Sequence, residues 1–477
     1  MGETAGVHAP LARLVIAGVA SGVGKTTVTV AIARALRARG LRVALFKCGP
    51  DYLDPTYHAR AIEGPTHNLD GWMMGRDAVR ATFARAARGA DVSLIEGVMG
   101  LYDGASPTSE AGSTAEIAKW LDAPVLLAVD AGGMARSIAA IVEGFRDFDP
   151  ALRLAGAIAN RVGSRGHLDL LRQALREPPI LGGLPCDPEH AFPERHLGLR
   201  TADERSLPSA LLDHWGALAE EWFAIDAVLE VARSSAALGM EEEATLAAVP
   251  TRCRLGVARD EAFHFYYEDN LRRLEALGAE LVPFSPVHDA RLPEVDGLYL
   301  GGGYPEVHAA ALAANATMRD AVAAFARNGG PVYAECGGLM YLTRGIVTAE
   351  GQEHAMVGLL PSQARMCRKL QALGYVEVET RASTILGAAG TRFRGHQFRY
   401  SELSPAPAVD EVGHVYSLHQ RRGDSTPLEG YRLHNVIASY VHAHWASNPG
   451  VAAALVESCV RHRASEHRAA PLPERPR

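Results

Sequence analysis

The 477-residue chain is poor in several residue classes, and each shortage excludes something. Aromatic residues are 6% of it, and the six cysteines (Cys48, Cys186, Cys253, Cys336, Cys367 and Cys459) include no C-x-x-C pair. That spacing excludes a thiolate zinc site, and a chain this long is no disulfide scaffold, so the thiols are expected reduced, in the cytoplasm. Positive charge is not in excess: 48 Lys and Arg face 55 Asp and Glu, a formal net charge of −7. Such a balance offers no general footprint for nucleic acid or an anionic membrane. No apolar run approaches the ~18 residues of a membrane helix. The N-terminal apolar run passes straight into a glycine-rich loop and reads as a strand, not a signal peptide. Expected partners are therefore small molecules, with no nucleic acid and no membrane.

What the chain does have is alternation. At ~100–200 residues per domain, its length suggests two to four domains. Residues 14–17, 42–46, 92–95, 125–129 and 154–159 read as buried strands, each followed by a loop and a helical stretch such as 28–39. This β-α alternation predicts an α/β fold with a parallel sheet covered by helices on both faces. The pattern fades over 206–250, read as a helical connector. A second doubly wound unit begins with strands at 254–258, 280–284, 297–300 and 331–334, and strands at 356–363 and 374–379 look like a local antiparallel insertion. The expected division is a first domain over 1–230, a linker over 231–252, a second domain over 253–465 and a disordered tail over 466–477.

The first loop, Gly18-Val-Ala-Ser-Gly22-Val-Gly24-Lys25-Thr26-Thr27, lies between a strand and a helix. Phosphate binding needs backbone N–H groups wrapped inward, a Lys for the β/γ charge and a hydroxyl for Mg²⁺. Gly22, Gly24, Lys25, Thr26 and Thr27 supply these parts, although the first glycine comes one residue early. The alternative is a glycine-rich turn capping a helix. After the second strand, Lys47-Cys-Gly-Pro-Asp51-Tyr52-Leu53-Asp54 faces the same crevice. Its charged groups could hold Mg²⁺, orient an acidic substrate, or cap a helix. Glu96 directly follows an apolar strand, at the position that completes a Mg²⁺ shell. Asn160 could read an adenine edge or form a turn.

In the second half, Pro331-Val-Tyr-Ala-Glu-Cys336-Gly337-Gly338 runs from strand through Cys into helix, the outline of a nucleophile elbow with a thiol. The helix N-terminus is expected to favour thiolate. Backbone N–H groups of Gly337 and of the Gly301, Gly302 and Gly303 loop could form an oxyanion hole. His442 is the best base, but alternation along a strand puts His444 on the same face, and either could reach the sulfur.

Taken in order, GVASGVGKTTVT, KCGPDYLDPTYH, NLDGWM, IEGVMGLYDG, NRVGS, RHLGL, FHFYYEDNL, LYLGGGYPE, AECGGLMYL, RGHQFRYS and ASYVHAHW resemble the family of cobyrinic and hydrogenobyrinic acid a,c-diamide synthases. The resemblance spans nearly the whole chain. It implies a dethiobiotin synthetase-like P-loop domain followed by a class I glutamine amidotransferase domain. It also implies glutamine hydrolysis through a Cys336 thioester, with ammonia passed internally. ATP with Mg²⁺ would phosphorylate the a and c carboxylates of the corrinoid acid in turn, and ammonia would displace phosphate, in cobalamin biosynthesis. Lys25 and Lys47 would act in catalysis with Asp51; Thr26, Glu96 and Asp54 would hold the metal; Asp51, Tyr52 and Asp54 would position the corrinoid. A homodimer is the expected assembly. Two departures stand out. His444 occupies the place of the glutamate in the usual His-x-Glu pattern, and His-Gln-Phe-Arg at 396–399 replaces the expected His-Glu-Phe-His.

Three other readings compete. Cobyric acid synthase usually lacks the PDYLDP loop. A nickel-sirohydrochlorin a,c-diamide synthase shares the motifs more closely. A P-loop switch ATPase with an inert glutaminase-like module would be expected to carry a signature Lys where Ala20 stands.

Overall fold

A computed structural model describes residues 11–187, 207–238, 249–407, 412–420 and 426–469. The RHLGL motif at 195–199, residues 239–248 of the expected connector, and 470–477 of the expected tail lie outside the described residues. The chain divides into two compact units, Met1–Ala244 and Thr245–Arg477.

The first unit is built on seven strands: β1 (Arg13–Gly18), β2 (Val43–Cys48), β3 (His67–Leu69), β4 (Val92–Glu96), β5 (Val125–Asp130), β6 (Leu154–Asn160) and β7 (Ile180–Gly182). They form one parallel sheet in the order β3-β2-β4-β1-β5-β6-β7. β1, β4 and β5 are buried along nearly their whole length, which explains their near-continuous apolar sequences. Because β1, β4 and β2 are neighbours, the loops carrying Lys25, Glu96 and Lys47 open at adjacent strand ends. The short β3 has too few apolar residues to register as a strand and was not expected.

Helices Ser209–Trp222 and Ile225–Arg233 pack through Leu212, Trp215, Val228 and Leu229 into the core around helix Lys25–Ala38. The region read as a connector thus begins as part of this unit. Buried Arg13 ties the following segment down: its guanidinium donates to the carbonyl of Ala236 at 2.8 Å, and Ser235 Oγ donates to the Arg13 carbonyl at 2.7 Å.

The second unit contains β8 (Cys253–Ala258), β9 (Ala279–Phe284), β10 (Gly297–Leu300), β11 (Val332–Glu335), β12 (Thr343–Val347), β13 (Glu353–Ala355) and β14 (Leu360–Met366). It continues with β15 (Ala372–Thr380), β16 (Arg392–Arg399), β17 (Ser401–Ser404), β18 (Gly413–Gln420), β19 (Leu428–Leu433), β20 (Val436–Ser439) and β21 (His442–His444). Ten strands form one sheet, ordered β21-β16-β15-β18-β19-β20-β11-β10-β8-β9. β20, β11, β10, β8 and β9 are parallel, and apolar clusters cover both faces of the sheet. The antiparallel part is larger than expected and includes β15, β16, β18, β19 and β21. A separate four-stranded sheet, β13-β12-β14-β17, contains one parallel pair, β12 with β14. The strand expected at 356–363 starts at Leu360, because Gly358 turns the chain at φ 75°. The final helix, Gly450–Ala469, extends four residues into the expected tail.

Candidate active sites

In the first unit, the loop from Gly18 turns tightly enough to need glycine. Gly22 and Gly24 have φ of 79° and 90°, and a Cβ on Gly24 would collide with the Asn160 amide. Asn160 is 5% exposed and its Nδ2 donates to the Val23 carbonyl at 2.9 Å. One of its N–H groups therefore braces the loop. Lys25 Nζ donates to the carbonyls of Ala20 (3.0 Å) and Met99 (2.6 Å). Thr27 is half-buried on the first turn of the same helix.

Beneath the loop lies a buried ionic cluster. Thr26 Oγ1 donates to Glu96 Oε1 at 2.7 Å, and Lys47 Nζ reaches Glu96 Oε1 (2.9 Å), Asp54 Oδ2 (2.8 Å) and the Gly97 carbonyl (2.9 Å). His58 Nε2 lies 2.5 Å from Glu96 Oε2. Burial raises the Glu96 carboxyl, but Lys47 and His58 outweigh it and hold the group below its usual range. Burial likewise opposes the Lys47 charge, yet Asp54 and Glu96 raise its pKa overall. Ion pairs this deeply buried need hydrogen bonds to offset lost water, and here Thr26, Lys47 and His58 all reach the Glu96 carboxylate.

These contacts place three of the expected residues. Asp51 Oδ1 accepts from the backbone of Leu53 (2.8 Å) and Asp54 (3.2 Å), so the capping alternative is realised at the start of helix Asp54–Ile62. Asp54 is 2% exposed, and its Oδ2 pairs with Lys47. Lys47 itself is buried to 2% exposure behind Glu96. Tyr52 is half-buried in the turn beside Asp51. Among the described residues no group of three or more His, Cys, Asp or Glu converges as a metal site. The oxygen donors Thr26 and Glu96 do fit Mg²⁺, which prefers hard oxygens and is bound through few side chains plus phosphates.

In the second unit, β11 ends at Glu335 and Cys336 turns the chain with φ 45° and ψ −97°, a strained elbow leading into helix Gly337–Leu342. Cys336 N–H donates to the Ser439 carbonyl at 2.7 Å. A Cβ on Gly337 would lie 3.0 Å from Gly303 N, and one on Gly302 would strike the ring of His442. Gly302 and Gly303 therefore sit between the Cys336 elbow and His442. The Gly302 carbonyl accepts from His264 and Phe265, both at 3.0 Å, which fixes the loop.

His442 is the histidine that reaches this loop. Its ring stacks on His396 with centroids 5.0 Å apart and an 18° tilt. His444 instead packs against Tyr267, centroids 4.7 Å apart, and its Nδ1 accepts from Ala446 N at 3.3 Å. His444 thus supports the strand end and takes no acidic role. Burial pushes the His442 pKa down to about 3 and the Cys336 thiol up to about 12. The expected resting thiolate is corrected: although a helix starts after Cys336, the loss of water around the sulfur outweighs it. Cys336 is 9% exposed and His442 is 2% exposed.

Sequence reasoning missed His58, Asn270 and Glu335. His58 lies four residues after Asp54, on the same helix face, a signal that spacing could have supplied.

A strand–P-loop–helix unit holding a buried acidic cluster, followed by a unit with a cysteine elbow and a strand-borne histidine, defines a glutamine-dependent ligase. Comparison with known proteins agrees: residues 14–199 match the CobQ/CobB/MinD/ParA nucleotide binding domain, and residues 254–450 match the CobB/CobQ-like glutamine amidotransferase domain. The chain is 51% identical over 452 residues (94% of this chain, 98% of the relative) to the cobyrinate a,c-diamide synthase of Leptospira interrogans. It is 50% identical over 451 residues to that of Syntrophotalea carbinolica and 44% over 455 residues to that of Priestia megaterium, again covering 94% of this chain and 98% or 97% of the relative. The chain belongs to the cobyrinate a,c-diamide synthase family.

Proposed function

We propose that the protein amidates the a and c carboxylates of cobyrinate, using ATP and glutamine, in cobalamin biosynthesis. The observation that supports this most directly is the pairing of two separate machineries in one chain, the Thr26–Glu96–Lys47 cluster and the Cys336–Gly302–His442 arrangement. In the second unit, Cys336 Sγ attacks the side-chain amide of glutamine while His442 takes the thiol proton and returns it to the leaving nitrogen as ammonia. Gly337, Gly302 and Gly303 face the developing oxyanion, and water then cleaves the thioester to glutamate. Burial raises the thiol pKa and lowers that of the imidazole, which favours the uncharged pair before glutamine binds.

In the first unit, a corrinoid carboxylate attacks the γ-phosphorus of ATP, ADP leaves, and an acyl phosphate forms. Ammonia then attacks its carbonyl carbon and expels inorganic phosphate. A carboxylate is a poor electrophile, and phosphorylation supplies the leaving group. Lys25 leaves its two carbonyl partners to meet the phosphates, and Thr26 with Glu96 would hold Mg²⁺. Mg²⁺, when bound, neutralises charge on the transferring phosphoryl group. Lys47 and His58 hold Glu96 in place, and Asp54 pairs with Lys47. Reduced thiols suit work in the cytoplasm, and the described cysteines are all free.

The test is a double dissociation. Cys336→Ala should abolish glutamine-driven amidation but keep ammonia-driven amidation, whereas Glu96→Gln should block both yet spare glutamate release. Mass spectrometry of cobyrinate after incubation should show two successive ~1 Da losses, each an OH replaced by NH₂. Cys336→Ala losing the ammonia-driven reaction as well would contradict the division of labour.

A further inference from the structure

β21 is a three-residue edge strand carrying His442, and it pairs with β16 on one side only. An edge strand this short has little to hold it. Two buried side chains from distant elements close the gap at its middle residue. Ala443 N–H donates to Glu335 Oε1 at 3.0 Å, and the Ala443 carbonyl accepts from Asn270 Nδ2 at 2.8 Å. Asn270 Oδ1 also accepts from Trp445 N at 2.8 Å, just beyond the strand. Glu335 is 1% exposed and accepts two further bonds, from Tyr333 (2.7 Å) and Tyr299 (3.1 Å).

The carboxyl of Glu335 is thus immobilised by three donors, and it belongs to the residue immediately before Cys336. Cys336 belongs to the apolar cluster on one face of the sheet, while Tyr299 and Tyr333, which donate to Glu335, belong to the cluster on the other. Burying a carboxyl among tyrosines is costly, and an apolar residue of similar size would be cheaper for stability alone. The His442 ring lies against His396, Phe265 and Gly302.

We propose that Glu335, assisted by Asn270, is the positioning residue of the glutaminase: by holding the backbone of Ala443 it sets His442 against the Cys336 elbow. This rests on the reading of Cys336 and His442 as nucleophile and base. The device acts on the main chain of the strand that carries the base.

The experiment uses the full-length chain and measures kcat and KM for glutamate release, alongside amidation of cobyrinate driven by ATP and ammonium. Glu335→Ala should lower the glutaminase kcat about 10²-fold, as expected for a base displaced by about 1 Å, with KM within about twofold and ammonia-driven amidation retained. Glu335→Gln still offers an amide oxygen to Ala443 N–H and should recover kcat to within about tenfold of the parent. Unchanged kcat in Glu335→Ala, or Glu335→Gln as impaired as Glu335→Ala, overturns the proposal. Should Glu335→Ala also lose ammonia-driven amidation, the fold has been damaged, and Asn270→Ala decides: a kcat loss of about tenfold at constant KM supports the clamp, and a parental kcat overturns it. Cys336→Ala separates the two levels, since glutamate release by that variant would sink the site reading itself and not the clamp alone.

Discussion

Replacing Gly302 by alanine is a sharp probe of the glutaminase site, because the added methyl has one main obstacle. Built on the observed backbone, the new Cβ meets the His442 ring, with Cε1 deep inside van der Waals distance and Nδ1 at 3.2 Å. Carbon atoms rest at about 3.5–4.0 Å, so the ring or the loop must yield by about 1 Å. The ring has nowhere easy to go, since it is buried and stacked on His396 at 5.0 Å. Gly302 also lies outside the left-handed region, so alanine brings no backbone strain of its own. A displacement of about 1 Å at a catalytic base is worth ~10²-fold in rate, equivalent to about 2.7 kcal/mol. The assay is glutamate release under saturating glutamine, with ammonia-driven amidation as the internal control. Expected is a kcat about 10²-fold down and a control within twofold. Parental glutaminase activity would refute the placement of His442 beside this loop. Equal loss of both activities would show that the substitution acts on the fold.

Two further predictions concern the other unit and the pH response. Gly24→Ala combines a φ of 90° with a clash against the Asn160 amide, and should weaken ATP binding by at least tenfold in equilibrium dialysis while leaving glutamate release intact; unchanged affinity would contradict the loop assignment. Burial lifts the Glu335 carboxyl from 4.5 to about 7, against the opposing hydrogen bonds of Tyr333, Ala443 and Tyr299. Between those values the folded chain binds a proton that the unfolded chain has released, so this group's contribution to stability falls as pH rises from 4.5 to 7. Glu335→Gln has no such proton. The melting temperature of the parent relative to the variant should therefore decline from pH 4.5 to pH 7 and level off above, and a rising difference would contradict the burial argument.

The parts of the molecule that could be read in the sequence are those in which neighbouring residues act together. The P-loop needs its glycines, Lys25 and Thr26 within a few positions, and the elbow needs Cys336 between a buried strand and two glycines, so both announce themselves locally. Locality alone did not distinguish Asp51 from Asp54. Their shared loop suggested a common role, yet one carboxylate folds back on backbone N–H groups and the other is drawn under the sheet to Lys47. The thiolate expectation failed for a related reason: a helix N-terminus is visible in the sequence, while the dehydration of the sulfur by surrounding elements is not.

By itself, the sequence determined the α/β alternation, the two units, the phosphate loop and the cysteine elbow, because periodicity and short-range backbone geometry are encoded residue by residue. Only the tertiary structure decided which histidine stands at the glycine loop and which merely packs. It alone brought His58 to Glu96 and joined Glu335 and Asn270 across Ala443, contacts between residues 38, 108 and 173 positions apart. Pairings at that separation depend on strand order and register, which arise when the whole sheet assembles and leave no pattern in any one stretch of chain.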